Sequence, residues 1–203
     1  MAEISLKRIP RAVAVITVEG TAPLVVHAWS QKAKQMMLAA QQGKKTPKEV
    51  KNPEGDFEAS MYRFPDGGHG FPVMAFKAAT VKGGGRAFGK AVKMTELRQH
   101  LTFLPDGIGV DGMQLARLTC TEPKMREDMV RVGMGTADIR YRAEYAEWQV
   151  DLRIEYLPSV IDLGSIAALV DAGGSNGIGE WRPEKNGAFG TYRVVAEDSE
   201  SEA

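Results

Sequence analysis

Alternating apolar and polar residues mark the clearest element of the sequence, between residues 146 and 156. The apolar positions are Ala146, Trp148, Val150, Leu152, Ile154 and Tyr156, with charged or amide residues between them. Because successive side chains of a strand point to opposite faces, the pattern predicts a strand with one face in the core. We expect its polar face to be exposed to water or to a partner.

Other apolar patterns predict the remaining elements. Residues 11–19 are almost all apolar or β-branched, which predicts a strand buried on both faces. Apolar residues at helical spacing predict a helix from residue 27 to about residue 42. The same reasoning predicts two strands and three helices, the last two helices with Thr95 and Asp162 as N-caps. The strands span residues 112–120 and 191–195, and the helices 73–81, 95–101 and 162–172.

The order of these elements predicts an α+β fold, a ferredoxin-like or RRM-like antiparallel sheet with helices on one face. We expect a single domain over residues 1–195, with long insertions at about 43–70 and 121–145. Residues 124–142 lack a clean period, which predicts a long loop or an extended ribbon. Residues 196–203 form an acidic tail that we expect to be disordered.

Composition narrows the class of protein. Apolar residues make up 43% and charged residues 26% of the chain, as in ordinary globular proteins. A single cysteine, Cys120, and three scattered histidines exclude a disulfide framework and a zinc-finger site. The chain has no apolar run of the roughly 20 residues that cross a bilayer, and its N-terminus lacks the pattern of a secretory signal. We therefore expect a cytoplasmic protein that needs no cofactor and has no membrane partner.

Charge is unevenly distributed along the chain. The 26 basic and 26 acidic residues give a formal net charge of zero. The tail holds four of the acids and no base, so the remaining chain has 26 bases against 22 acids. A mildly basic body is compatible with nucleic-acid binding, with the tail competing for the basic surface. The alternative is a solvated terminus that only aids solubility.

The most informative segment is glycine-rich and spans residues 173–190. It holds six glycines, and successive amides without side chains can approach phosphate oxygens closely. The residues that we expect to hold a nucleic-acid strand are Gly177, Gly179, Trp181, Arg182 and Lys185. The alternative is a long turn whose glycines relieve strain and whose aromatic residues pack on the core.

A first basic segment surrounds the glycines at positions 83–85. Lys77, Lys82 and Arg86 are candidates there for contacts with a phosphate backbone. The alternative is a helix C-terminus whose cations only offset the helix dipole.

A second basic segment lies between residues 124 and 142. Its candidate phosphate ligands are Lys124, Arg126, Arg131, Arg140 and Arg142. Methionines between these cations could wedge between the bases of a single strand. The alternative is a solvated loop with internal ion pairs to Glu127, Asp128 and Asp138.

Candidates for catalysis are few. Asp56 lies in a polar segment that we expect to be a loop, where a carboxylate could assist RNA cleavage. The alternative is that Asp56 only forms a turn, as aspartates in loops more often do. His27 and His69 are isolated in the sequence from other candidate catalytic residues. There is no Walker loop, nucleophile elbow or zincin motif. The sequence therefore favours a binding protein over an enzyme, with a metal-dependent or metal-independent endoribonuclease as the alternative.

Three stretches of the sequence, taken together, form a pattern shared with a known family. Residues 18–25 read Val-Glu-Gly-Thr-Ala-Pro-Leu-Val. Residues 70–79 read Gly-Phe-Pro-Val-Met-Ala-Phe-Lys-Ala-Ala and follow an aspartate-containing stretch at 56–63, while residues 177–182 and 187–190 supply the glycine loop. Together they resemble the RAMP superfamily, and within it the backbone subunits of CRISPR effector complexes. The likeness is to that family's first strand, aspartate-containing loop, helix start and C-terminal glycine-rich loop.

The resemblance implies a RAMP-like domain, either of CRISPR type or a stand-alone bacteriophage member. In the family, the helix after the proline and the glycine loop hold the RNA backbone, and subunits stack head to tail along the strand. The resemblance thus implies a protein that binds single-stranded nucleic acid, RNA more than DNA, with low sequence preference. It also implies oligomers along the strand, in a prokaryotic cell or a phage-infected host.

Two alternatives stay open. Some family members cleave target RNA with an aspartate that Asp56 matches, which implies an endoribonuclease of the same fold. The other alternative is a viral structural or assembly protein, in which the basic segment grips a neighbouring subunit.

Overall fold

The structure is a computed structural model that describes residues 7–29, 31–44, 50–132 and 135–195. The predicted acidic tail, residues 196–203, lies outside the described residues.

The strands and helices follow one another in mixed order. The strands are β1 (Ala12–Gly20), β2 (Leu24–Val26), β3 (Tyr62–Arg63), β4 (His69–Pro72), β5 (Thr102–Leu104), β6 (Gly107–Ile108), β7 (Gln114–Cys120), β8 (Lys124–Val132), β9 (Thr136–Tyr145), β10 (Trp148–Tyr156) and β11 (Tyr192–Val194). The α-helices are α1 (Gln31–Gln41), α2 (Pro53–Ala59), α3 (Val73–Ala79), α4 (Gly85–Ala87), α5 (Met94–His100) and α6 (Leu163–Gly174). A π-helical turn, Thr80–Gly84, joins α3 to α4, and short 3₁₀ helices span Gly89–Ala91 and Pro183–Lys185. None of the described helices is both long and apolar enough to span a membrane.

The main sheet is antiparallel and has the order β11-β1-β10-β7-β4-β3. The four strands β11, β1, β10 and β7 lie side by side in the sheet. In chain order they are the fourth, first, third and second strands of this set. Helix α3 lies between β1 and β7 in sequence, and α6 lies between β10 and β11. This is the ferredoxin-like arrangement, so the predicted α+β class is confirmed.

The two central strands expose one face each. Alternation in β10 is confirmed, since Trp148, Val150, Leu152 and Ile154 are buried and the residues between them are exposed. The prediction that β1 is buried on both faces is wrong, because Val13 and Val15 are 54% and 63% exposed. These two valines pair with Glu155 and Arg153 of β10 and so share its open face.

The helical layer explains the glycines at 83–85. The predicted helix over 73–81 continues through the π-helical turn, which packs closely on α6. A Cβ atom on Gly84 would lie 2.8 Å from the carbonyl oxygen of Leu169, and one on Gly83 would lie 2.9 Å from the Cα of Gly173. These glycines therefore permit contact between two helices.

Two segments, one predicted as a loop or a ribbon and the other as a loop, are ordered elements. The ribbon interpretation of residues 124–142 is confirmed, because β8 and β9 pair from Lys124–Glu144 to Val132–Thr136, and β2 extends this sheet beside β9. The loop predicted around Asp56 is wrong, because Asp56 lies in α2. The side chain of Asn52 accepts a hydrogen bond from the Gly55 amide, and Pro53 follows the cap, as at many helix starts.

The predicted helix caps differ in their outcome. The Asp162 cap is confirmed, because its carboxylate accepts a 2.9 Å hydrogen bond from the Ser165 amide at the start of α6. The Thr95 cap is wrong, because α5 begins at Met94 with Lys93 in the capping position.

Candidate nucleic-acid interface

The glycine-rich loop that follows α6 runs directly over β2. Gly177 and Gly179 have φ angles of 71° and 76°, which favour glycine. A Cβ atom on Gly179 would lie 2.5 Å from the Val25 carbonyl oxygen, and the Glu180 amide donates a 2.8 Å hydrogen bond to the same oxygen. Gly179 thus lets the loop lie against the edge of the small sheet.

A cleft of about 230 Å³ separates the glycine loop from α3 and the π-helical turn. Four predicted site residues line it: Lys82, Gly177, Gly179 and Arg182. The Lys82 Nζ lies 3.1 Å from one carboxylate oxygen of Glu184, and the Arg182 Nε lies 2.9 Å from the other. Hydrogen bonds from Lys82 and Arg182 hold the pKa of Glu184 below its usual value. Two cations therefore share one carboxylate at the mouth of the cleft.

Asp128 of β8 joins the hairpin to the glycine loop. Its carboxylate accepts hydrogen bonds from Arg126 Nε at 2.8 Å, Arg142 Nη1 at 3.0 Å and Trp181 Nε1 at 3.0 Å. Burial alone would raise the pKa of Asp128, but the hydrogen bonds from Trp181, Arg126 and Arg142 lower it overall. The side chains of Asp128 and Arg142 are only 7% and 5% exposed, so this is a buried ion pair.

Aromatic side chains of the loop cover the same face of the hairpin. The Arg126 guanidinium lies 4.5 Å from the ring centre of Phe189 and also pairs with Glu144 at 2.8 Å. Trp181 has a φ angle of 52° and is 37% exposed, with the Arg142 guanidinium 5.8 Å from its ring centre. The loop thus presents two aromatic rings beside internally paired arginines, and Trp181 is the more exposed of the two.

The other predicted cations are more scattered. Lys77 and Arg86 do not line the cleft, and Lys185 lies in the 3₁₀ turn of the loop. Lys124 and Arg131 lie near the two ends of β8. Across residues 7–29, 31–44, 50–132 and 135–195, none of these five side chains forms an ion pair.

The arginines of the hairpin divide between its two faces. Arg126 and Arg142 face the glycine loop, whereas Arg131 is an odd number of positions from Arg126 on β8 and so points to the other face. Arg140 lies further along β9, with Nη1 2.9 Å from Nε2 of His27 and Nε 3.5 Å from Asp138. Asp128 and Asp138 thus form internal ion pairs, as the alternative interpretation expects, whereas Glu127 forms none within the described residues.

Asp56 lies in a different cleft, of about 430 Å³, between α1, α2 and β9. His27 and Trp29 line this cleft with it, and Trp29 is 58% exposed. Burial, together with Arg142 and Arg140, lowers the pKa of His27. The lowered pKa favours the neutral ring, and because the Arg140 guanidinium can only donate, its contact with Nε2 favours the tautomer with the proton on Nδ1. Nδ1 is buried and has no hydrogen-bond partner in the described structure.

Sequence reasoning missed the acids that organise the interface. Asp128, Glu180 and Glu184 were not among the candidates for function, although each binds one or more of the predicted cations. Alternation along β8 places Asp128 on the same face as Arg126, which was a readable signal. Among the described residues, no three His, Cys, Asp or Glu side chains are grouped as a metal site would require.

Comparison with known proteins shows a likeness in fold. No family model and no curated protein matches the sequence. The fold is similar to the crystal structure of Cmr6 from Pyrococcus furiosus, with a TM-score of 0.44 and 9% sequence identity. The match covers 93% of this chain and 100% of that chain. A likeness at this level carries no information about function.

Proposed function

We propose that the protein binds single-stranded nucleic acid, RNA more than DNA, across the glycine loop and the cleft beside it. The supporting observation is that the glycine loop contacts the two other segments singled out in the sequence: it lines a cleft with the helix after Pro72, and its Trp181 and Phe189 contact the hairpin of β8 and β9. Copies of the protein would lie head to tail along the strand.

The chemistry of this surface fits a strand held by its backbone. Lys82 and Arg182 share the single carboxylate of Glu184, so these two cations carry one positive charge more than the group that they share. The partly exposed ring of Trp181 offers a stacking surface that accepts any base. Contacts of these two kinds give low sequence preference.

Fluorescence anisotropy with a labelled single-stranded oligonucleotide tests the proposal. We expect micromolar binding that weakens steeply with salt. Changing Lys82 and Lys185 together to Gln should reduce the slope of log K against log salt by roughly 0.7 for each phosphate that the protein no longer neutralises. Arg153→Gln is the matched control, because Arg153 is exposed on the open face of the sheet. Binding that ignores salt, or an equal weakening in the control, would refute the proposal.

A second candidate function is cleavage of RNA at the cleft that holds Asp56. The observation that favours it is the shared cleft itself, where a carboxylate on α2 and the imidazole of His27 are within one enclosure. The Asp56 carboxylate can act there as a general base. Incubating labelled RNA with the wild type and with Asp56→Asn tests this function. Uncut RNA in both samples would remove it, and cleavage abolished only in the variant would support it.

A further inference from the structure

Strand β8 lies at the edge of the small sheet, with one side unpaired within the described residues. In the small sheet of order β2-β9-β8, β8 pairs with β9 along one edge, from Lys124 to Val132, without a bulge. In the part of the chain that the structure describes, no strand or loop backbone pairs with its other edge. Along this nine-residue strand, every second residue turns its N–H and C=O groups to the free edge, which makes that edge a template for a further strand.

The side chains on one face of β8 carry a self-complementary pattern. Arg126 and Asp128 face the glycine loop, so the residues between and after them point to the opposite face. On that face Met129 is 77% exposed and stands between two exposed residues of opposite charge, Glu127 and Arg131. An exposed methionine flanked by opposite charges can match a second copy of the same strand.

We propose that β8 pairs with β8 of a second copy of this chain, antiparallel and about a two-fold axis at Met129. With Met129 opposite its own copy, Glu127 lies opposite Arg131 of the second copy, and Arg131 lies opposite Glu127 of the second copy. One contact therefore gives two cross-strand ion pairs around a methionine contact. Such an interface uses the same patch on both copies and closes as a dimer.

The other registers on this face are less favourable. A two-fold axis at Glu127 or at Arg131 would place two like charges directly opposite each other, which is destabilising. An axis at Met125 would place Glu127 opposite Pro123, which precedes the strand and has no N–H group. An axis at Met129 therefore places Glu127 and Arg131 each opposite a residue of opposite charge.

The dimer goes beyond the proposed function, because it needs no nucleic acid. Head-to-tail assemblies on a strand would grow with the length of that strand, whereas the two-fold contact stops at two copies. Sedimentation velocity on nuclease-treated protein should therefore show a monomer–dimer equilibrium that depends on protein concentration.

Charge reversal tests the register. Glu127→Arg and Arg131→Glu each create two like-charge pairs, so each should weaken the dimer by about tenfold. The double variant carrying both changes restores opposite charges at both positions, and its dimer should return close to wild-type strength. A wild type that stays monomeric at hundreds of micromolar would overturn the proposal, as would a double variant that dimerises no better than the single variants.

Disulfide cross-linking tests the axis directly. Cys120 is the single cysteine of the chain, so Met129→Cys in a Cys120→Ser background has one thiol per copy. Opposed strand residues are close enough for a disulfide, so mild oxidation should link the two copies. Met125→Cys is the matched control on the same face, because residues four places from the axis lie about 27 Å apart in the dimer. No cross-link at position 129, or equal cross-linking at both positions, would overturn the proposal.

Discussion

Removing the Asp128 carboxylate is the sharpest test of how the glycine loop is held. Asp128→Ala removes the carboxylate that accepts hydrogen bonds from the side chains of Arg126, Arg142 and Trp181. Arg142 is 5% exposed on its side chain, and its remaining contact is with Glu180 at 3.4 Å. The variant therefore leaves a buried guanidinium without adequate compensation.

The size of the effect follows from that burial. Breaking a buried ion pair by removing one partner costs about 3–5 kcal/mol, a large share of the roughly 5–15 kcal/mol that stabilises a domain. With an m-value of about 2–3 kcal/mol/M, the midpoint of urea unfolding should fall by about 1–2 M. Trp181 fluorescence should change as well, because the indole loses its hydrogen bond to Asp128.

Asp151→Ala is the matched control for this experiment. Asp151 lies on the open face of β10, where its carboxylate accepts one 2.7 Å hydrogen bond from the Thr17 hydroxyl. Exposed substitutions of this kind change stability by about 0.5 kcal/mol or less. If Asp128→Ala lowers the urea midpoint no more than Asp151→Ala does, Asp128 does not hold the loop and the reasoning is refuted.

Three further predictions address pH, packing and burial. Because the pKa of Asp128 is lower folded than unfolded, its stabilisation is complete above about pH 4 and is lost in more acidic solution; acid unfolding of Asp128→Asn should lack that component. Gly84→Ala forces a Cβ against Leu169 and should cost about 1–3 kcal/mol, measured by urea unfolding. Val15→Ala should cost much less than Ile16→Ala, for which about 2–5 kcal/mol is expected by the same assay, since only Ile16 is buried.

The sequence predicts an element well where local chemistry decides it. The alternation in residues 148–156 predicts a strand without reference to the strands beside it. Asp162 caps its helix by accepting a hydrogen bond from an amide three residues away. The exposure of Val13 and Val15 could not be predicted in this way, because it depends on which face of the sheet the helices cover. The helix at Asp56 was predictable, since Asn52 and Pro53 are helix-start residues, but the charged segment around them was interpreted as a loop.

The candidate site shows the same division. Glycines and cations identified the segments, and the structure brings the glycine loop, the cleft and one face of the hairpin together. The bond between the hairpin and the loop could not be predicted, because Asp128 and Trp181 are 53 residues apart. Contacts over such separations follow from the packing of the two sheets and not from any local pattern.

The acids at the interface also determine which cations a ligand can use. Arg142 is committed to Asp128 and Glu180, and Arg126 to Asp128 and Glu144, so neither can turn to a phosphate without leaving a carboxylate unpaired. These arginines are therefore best assigned to holding the loop in place. In the proposed function, phosphate contacts then fall to cations outside this network, such as Lys82 and Lys185, whose flexible stems reach a strand without breaking the buried network.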